Sequence, residues 1–412
     1  MRLVHLTVLL AITAACSSST EPGQQTQPAV LTALPRALTA PEQKLVAANN
    51  DFAFSLFRQL NVASAKDSNV FASPLSASMS LGMAMTGASS STYSQMRATL
   101  GFGTLSETEV SDSYKSMISL LRGLDASVDF RIANSVWFRN TFTFNQSFLD
   151  ATKNAFDAQV SALDFNNPSA KTTINDWVNT ATNAKIPSII DKISSDNVMF
   201  LINAIYFKGD WRDRFKATET ADGTFHAVSG DQTARFMHRN VSTPYRATAD
   251  YEAADLLYGS SAFSMTVVLP RAGKSIDAVA ASLESGTWAS TTSGMSGVLV
   301  DLSFPRVKLT WERKLNDDLI ALGMRDAFSD GIADFTRMSP AGHQLVISEV
   351  KQKTFVDINE DGTEAAAVTS TGISVTSAPL TVTMKVDRPY LIVMRERYSG
   401  TILFMGKIVR MP

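Results

Sequence analysis

A chain of 412 residues, 45% of them hydrophobic, carries enough apolar surface for one large core or for two or three of average size. Its net charge of −2, with both signs interspersed, excludes a basic stripe for nucleic acid and an acidic tail for a cationic partner. Its single cysteine excludes an intrachain disulfide.

The first fifteen residues place Arg2 before an apolar run over 3–12, then the small Ala14 and Ala15 ahead of Cys16. This is a signal-peptide layout, too short to persist as a spanning helix, and it predicts export. Cys16 at the cleavage point resembles a bacterial lipoprotein site, although Thr13 stands where an aliphatic residue is usual. Lipid on Cys16 would tie the protein to the bacterial cell envelope, whereas ordinary cleavage nearby would release it as a soluble secreted protein. The polar, Ser/Pro/Gln-rich stretch after Cys16 reads as a disordered tether running to about residue 40, and the globular body as one domain over 41–412.

From Pro41, Leu45, Phe52, Ala53, Leu56, Phe57 and Leu60 fall on one face at helical spacing. A short strand is predicted over 69–71. A long Met- and Ala-rich helix then starts at Ser73-Pro74, apolar on most sides and therefore buried. Long apolar runs at 130–138 and 200–208 predict central strands, with a helix over 173–182 between them. Further strands are signalled at 264–269, 298–302, 355–358 and 390–394, with a helix over 316–322. Early helices and late strands without regular βαβ alternation argue for an α+β fold with mainly antiparallel sheets, against a parallel nucleotide-binding fold.

Three histidines, His226, His238 and His343, remain after export. No G-x-S-x-G elbow, metal-spaced His pair or glycine-rich phosphate loop accompanies them. An enzyme reading therefore lacks its parts, and no cofactor or metal is expected; His238 is read as a hydrogen-bonded structural histidine in a strand. Residues 360–380, EDGTEAAAVTSTGISVTSAPL, fit neither a stable loop nor a core strand. The small residues at Thr363, Ala365, Ala367 and Thr369 could slide between two strands, while 370–377 is uncharged, hydroxyl-rich and protease-accessible in character. On composition alone the favoured reading is a plain Thr/Ser-rich connector between two strands.

Glu360, Gly362, Thr363, Glu364, Ala365, Ala366 and Ala367, continuing through Val368 and Thr369, resemble the hinge of the reactive-centre loop in inhibitory serpins. NAIYFKGDW at 203–211, DRPYLIVM at 387–394 and GTILFMGKI at 400–408 resemble the same family, as does the helix opening at Ser73 and Ser76. The resemblance covers nearly all of the body. It implies the serpin fold: a large, mainly antiparallel central sheet, further sheets, eight to nine helices, and an exposed loop over about 360–380. INDWVNTATNAKIPSII at 174–190 is similar to the serpin helix that lies across the sheet face and must yield when a strand is added.

The resemblance also implies a mechanism, the trapping of a serine protease as a covalent acyl-enzyme when the cut loop inserts into the sheet. Counting from Gly362 puts the reactive bond between Thr376 and Ser377, with Val375 and Ala378 bracketing it. Ile373, Val375 and Thr376 suit elastase-like or subtilisin-like proteases, and no Lys or Arg occurs over 364–383 for a trypsin-like one. Trp211 and the pair Arg306 and Glu360 are expected at the top of the opening. Ser73, Ser76, Asn203 and Gln352 are expected lower down, with Gln352 bonding Asn203 and the nearby serines. A monomer is expected, with a membrane reached only through the lipid. A carrier or chaperone serpin and an inhibitor of papain-like cysteine proteases are the alternatives.

Overall fold

The computed structural model describes residues 27–363 and 381–412. Helix α1 (Ala40–Ala63) starts at a capping box in which the Thr39 hydroxyl accepts from the Glu42 amide and the Glu42 carboxylate accepts from the Thr39 amide. All six apolar residues expected on its inner face are buried. Strand β1 (Val70–Ala72) leads into α2 (Pro74–Thr86), buried nearly all round, with Pro74 in its first turn where no intrahelical N–H is needed. Next come α3 (Ser90–Thr99), α4 (Glu107–Gly123), β2 (Val128–Arg139), α5 (Gln146–Phe156), β3 (Ala158–Leu163), α6 (Ser169–Ala181) and β4 (Met199–Asp210).

The second half is mostly strand: β5 (Ala221–Ala227), β6 (Gly230–Ala247), β7 (Tyr251–Leu257) and β8 (Phe263–Pro270). Two short helices, α7 (Ile276–Ser282) and α8 (Ser285–Ser293), precede β9 (Ser296–Pro305) and β10 (Val307–Lys314). The chain ends with α9 (Asn316–Ala321), β11 (Lys351–Ile358), β12 (Gly362–Thr363), β13 (Thr381–Lys385), β14 (Tyr390–Glu396) and β15 (Ile402–Ile408).

Two sheets result. A nine-stranded sheet runs β1-β15-β14-β8-β7-β6-β9-β13, with β5 on β6; a six-stranded sheet runs β10-β11-β12-β4-β2-β3. Only β2–β3 and β9–β13 pair parallel among the described residues, so the α+β, mainly antiparallel architecture read from the sequence is the one observed. Strands β14 and β15 are buried along their whole length, as their unbroken apolar runs require. Helix α6 packs on β2 and β4, and Ile174 and Val178 join Trp137, Phe165, Ile186, Ile190 and Ile202 in an apolar cluster apart from the main core.

Candidate functional site

The site is where β11 turns back into β12. Strand β11 alternates half-buried and buried residues up to Ile358, and Thr363 pairs with Ile358 on one side and Gly209 on the other. Gly362 pairs with Asp210. Gly362 and Thr363, near the start of the segment singled out by the sequence, thus already form a strand between β11 and β4, and among the described residues those two strands are joined only through it.

Packing explains why Thr363 stays seated. Thr363 is 3% exposed, and its hydroxyl shares a hydrogen bond with the Tyr258 hydroxyl at 2.7 Å. Tyr258 is stacked on Trp211 with ring centroids 4.5 Å apart, and burial pushes its phenol far above the ordinary value. Trp211 grips the turn from both ends, donating from Nε1 to the Asn359 carbonyl at 2.9 Å and from its backbone N–H to the Asp361 carbonyl at 2.7 Å. A Cβ on Gly362 would lie 2.1 Å from the Gly209 carbonyl oxygen, against backbone with no room to move. Gly362→Ala is therefore expected to cost about 1–3 kcal/mol by overpacking, measurable as a lowered thermal midpoint.

The expected partnership of Arg306 and Glu360 is present, and it is less exposed than a surface pair. Arg306 donates to the Glu360 carboxylate from Nε at 2.8 Å and from Nη2, and the Thr220 hydroxyl donates to it as well. Burial alone would raise the Glu360 pKa, but the bonds from Arg306 and Thr220 outweigh it and hold the carboxyl below its ordinary 4.5. With the folded pKa depressed, the stabilisation is present above the unfolded value and is lost as pH falls through the folded one. The thermal midpoint of Glu360→Gln should therefore lie below that of the parent at pH 7, and the difference should shrink on acidification below about pH 4.

At the other end of the slot, Ser73 caps α2, its hydroxyl accepting from the Ser76 amide and donating to the Leu403 carbonyl at 2.8 Å. Gln352 binds the Ser73 backbone twice, Oε1 accepting from its N–H at 2.9 Å and Nε2 donating to its carbonyl at 2.7 Å. The expected contact of Gln352 with Asn203 is absent, because both ends of the Gln352 amide are taken by Ser73. Asn203 instead donates to its cross-strand partner Asn134 at 2.6 Å, while its own carbonyl accepts from the Ser76 hydroxyl at 3.5 Å.

Glu364, Ala365, Ala366, Ala367, Val368, Thr369, Val375, Thr376, Ser377, Ala378 and Cys16 lie outside the described residues. His238 lies in β6 with Nε2 3.1 Å from Asp301 Oδ1 of the neighbouring strand, without the aligned hydrogen bond expected of it. No group of residues able to hold a metal ion occurs among the described residues, and no helix there is long and apolar enough to cross a membrane. Sequence reasoning missed Tyr258, Thr220 and Asn134. Asn134 alone left a trace, as one of three polar residues, with Arg131 and Ser135, in the run FRIANSVWF.

Residues 47–411 match the family model described as serpin, serine protease inhibitor. The chain is a serpin. It is 31% identical to the human leukocyte elastase inhibitor over 379 residues, covering 89% of this chain and 99% of that relative. It is also 31% identical to an uncharacterized serpin-like protein of Thermococcus kodakarensis, covering 89% of this chain and 86% of the other. The native-state crystal structure of the thermophilic serpin Tengpin superposes with a TM-score of 0.83 at 28% identity, covering 94% of this serpin and 98% of that chain. Human thyroxine-binding globulin, complexed with thyroxine, superposes with a TM-score of 0.82 at 28% identity, covering 90% of this serpin and 99% of that chain. The fold therefore accommodates both protease inhibition and thyroxine binding in its relatives.

Proposed function

We propose that this serpin is a suicide-substrate inhibitor of serine endopeptidases, with elastase-like or subtilisin-like enzymes as targets. The observation that carries the reading is Thr363, seated as a strand between β11 and β4 and followed in sequence by Ala365, Ala366 and Ala367. A strand already begun needs no nucleation. Each further residue added to it pairs backbone groups on both sides, at a net gain of roughly 0.5–1.5 kcal/mol per hydrogen bond. Small side chains enter without overpacking.

In this mechanism the protease serine attacks the carbonyl of Thr376, the peptide bond to Ser377 breaks, and an acyl ester links the protease to the loop. The cut end is free to insert as a strand, carrying the protease with it. Displacement distorts the oxyanion hole, whose donors must sit within hydrogen-bond distance of the developing charge, and deacylation stops. The outcome is a race between insertion and hydrolysis. Mixing the chain with pancreatic elastase, subtilisin and trypsin tests it: the first two should give an SDS-resistant adduct and a released peptide beginning at Ser377. Clean cleavage with no adduct in any mixture would overturn the reading.

A further inference from the structure

Beyond β12, no strand pairing joins β4 to β11 among the described residues. Side chains of the segment between α6 and β4 bridge the two halves of the six-stranded sheet there instead. That segment belongs to one half. Ile186 and Ile190 share the small apolar cluster with Trp137 of β2 and Ile202 of β4, and no described residue of β10 or β11 enters it. The Asn175 side chain of α6 binds the backbone of Ile189 and Ile190, and Arg139 of β2 donates to the carbonyls of Ser194, Ser195 and Asn197.

Charge ties the segment to the other half. Asp191 Oδ2 lies 2.6 Å from Lys351 Nζ at the start of β11, and the same ammonium lies 2.6 Å from Glu312 of β10, which also takes Lys353 at 3.1 Å. The Lys351 side chain is only 13% exposed, so its charge is poorly hydrated and depends on these carboxylates. Burial alone would lower the Lys351 pKa, but the bonds to Asp191 and Glu312 outweigh it and hold the ammonium above its ordinary value. Lys185, set over the Phe355 ring 5.4 Å from its centroid, crosses to β11 as well.

We infer that Asp191, Lys351 and Glu312 form an ionic latch across the slot, which must break before β12 can lengthen between β4 and β11. The charge at position 191 and the ionic strength together set how readily the sheet opens. The consequence for inhibition rests on the reading above: a looser latch speeds insertion and shifts the acyl-enzyme from hydrolysis towards the trapped adduct.

Hydrogen exchange on the full chain tests the latch without a protease. Asp191 is the member to change, because its own side chain is exposed and its loss leaves Lys351 paired with Glu312. In Asp191→Asn, the amides of β11 should exchange roughly two- to fivefold faster than in the parent at low salt. At 1 M salt, where the screening length falls to about 3 Å, the difference should vanish. Asp196→Asn removes an exposed acid of the same segment that makes no ion pair among the described residues, and should leave exchange unchanged. Equal exchange in the parent and Asp191→Asn at low salt, a difference that persists at 1 M salt, or an equal effect of Asp196→Asn would overturn the latch. With elastase, Asp191→Asn should raise the ratio of adduct to cleaved chain by a similar factor. An unchanged ratio with faster exchange would overturn the consequence for trapping alone. Absence of adduct from the parent would overturn the inhibitor reading, and exchange would still decide the latch.

Discussion

Under the proposed mechanism, Thr363→Arg is expected to leave the loop cleavable by a target protease and to abolish the covalent adduct. Thr363 is buried, its hydroxyl meets that of Tyr258, and it faces Ile205, Phe207, Phe355 and Val356 around a gap of about 10 Å³. An arginine side chain exceeds that volume many times over. Its guanidinium would enter a tight, largely apolar gap in which the one carboxylate, Asp357, already pairs with Lys308 and shares the lining with Lys185, while the Tyr258 hydroxyl would lose its partner. Overpacking and burial of an unpaired charge each cost about 1–3 kcal/mol or more, and the hinge escapes both by leaving the slot. An unseated hinge must nucleate insertion afresh, and each 1.4 kcal/mol added to that barrier slows it tenfold relative to deacylation. Gel analysis after reaction with elastase should therefore show cleaved chain in place of adduct; an adduct yield equal to that of the parent would refute the assignment of the hinge.

Trp211→Ala carries the second large effect. Trp211 is fully buried, stacked on Tyr258, set edge-on to Phe215, and bonded through Nε1 to the Asn359 carbonyl. Truncation should cost about 3–5 kcal/mol, seen as a lower thermal midpoint, and should also release Tyr258 from the position that holds Thr363. Trp288→Ala is the matched control, because Trp288 is equally buried but packs against Phe54 in α1, away from the hinge. Both variants should melt earlier, and only Trp211→Ala should shift the products from adduct to cleaved chain. A normal product ratio for Trp211→Ala would confine that residue to a structural role.

The readable parts of this fold share a physical cause. Strands β4, β14 and β15 and helix α1 carry long runs or clear periodicity, so burial writes their outline into local sequence. Helix α4 left a signal that went unused, Ser106 followed three residues on by Glu109, which closes as a capping box. The 18-residue β6 is a different case. It alternates only in part, contains Pro244, and owes its pairing to β5, β7 and β9 at once, so no local period announces it. Glu360, Gly362 and Thr363 stood out in the sequence as part of a motif, and the Arg306 partnership expected with it is present. That Tyr258 would secure Thr363 was not legible, since 105 residues separate them and only the tertiary fold joins their hydroxyls. Gln352 was expected to bond both Asn203 and the nearby serines, and only the Ser73 contact forms, because that choice depends on ångström-scale placement of β11, β4 and the cap of α2.

The separate apolar cluster beneath α6 sets how the molecule opens. Residues sharing one continuous core unfold together, whereas a layer with its own small core can lift off at the cost of that core alone. Amide hydrogens of α6 should thus exchange with solvent at a free energy well under that of β14 and β15, whose side chains belong to the large core. The outer face of the six-stranded sheet would then be uncovered many times over during the lifetime of an otherwise intact native state.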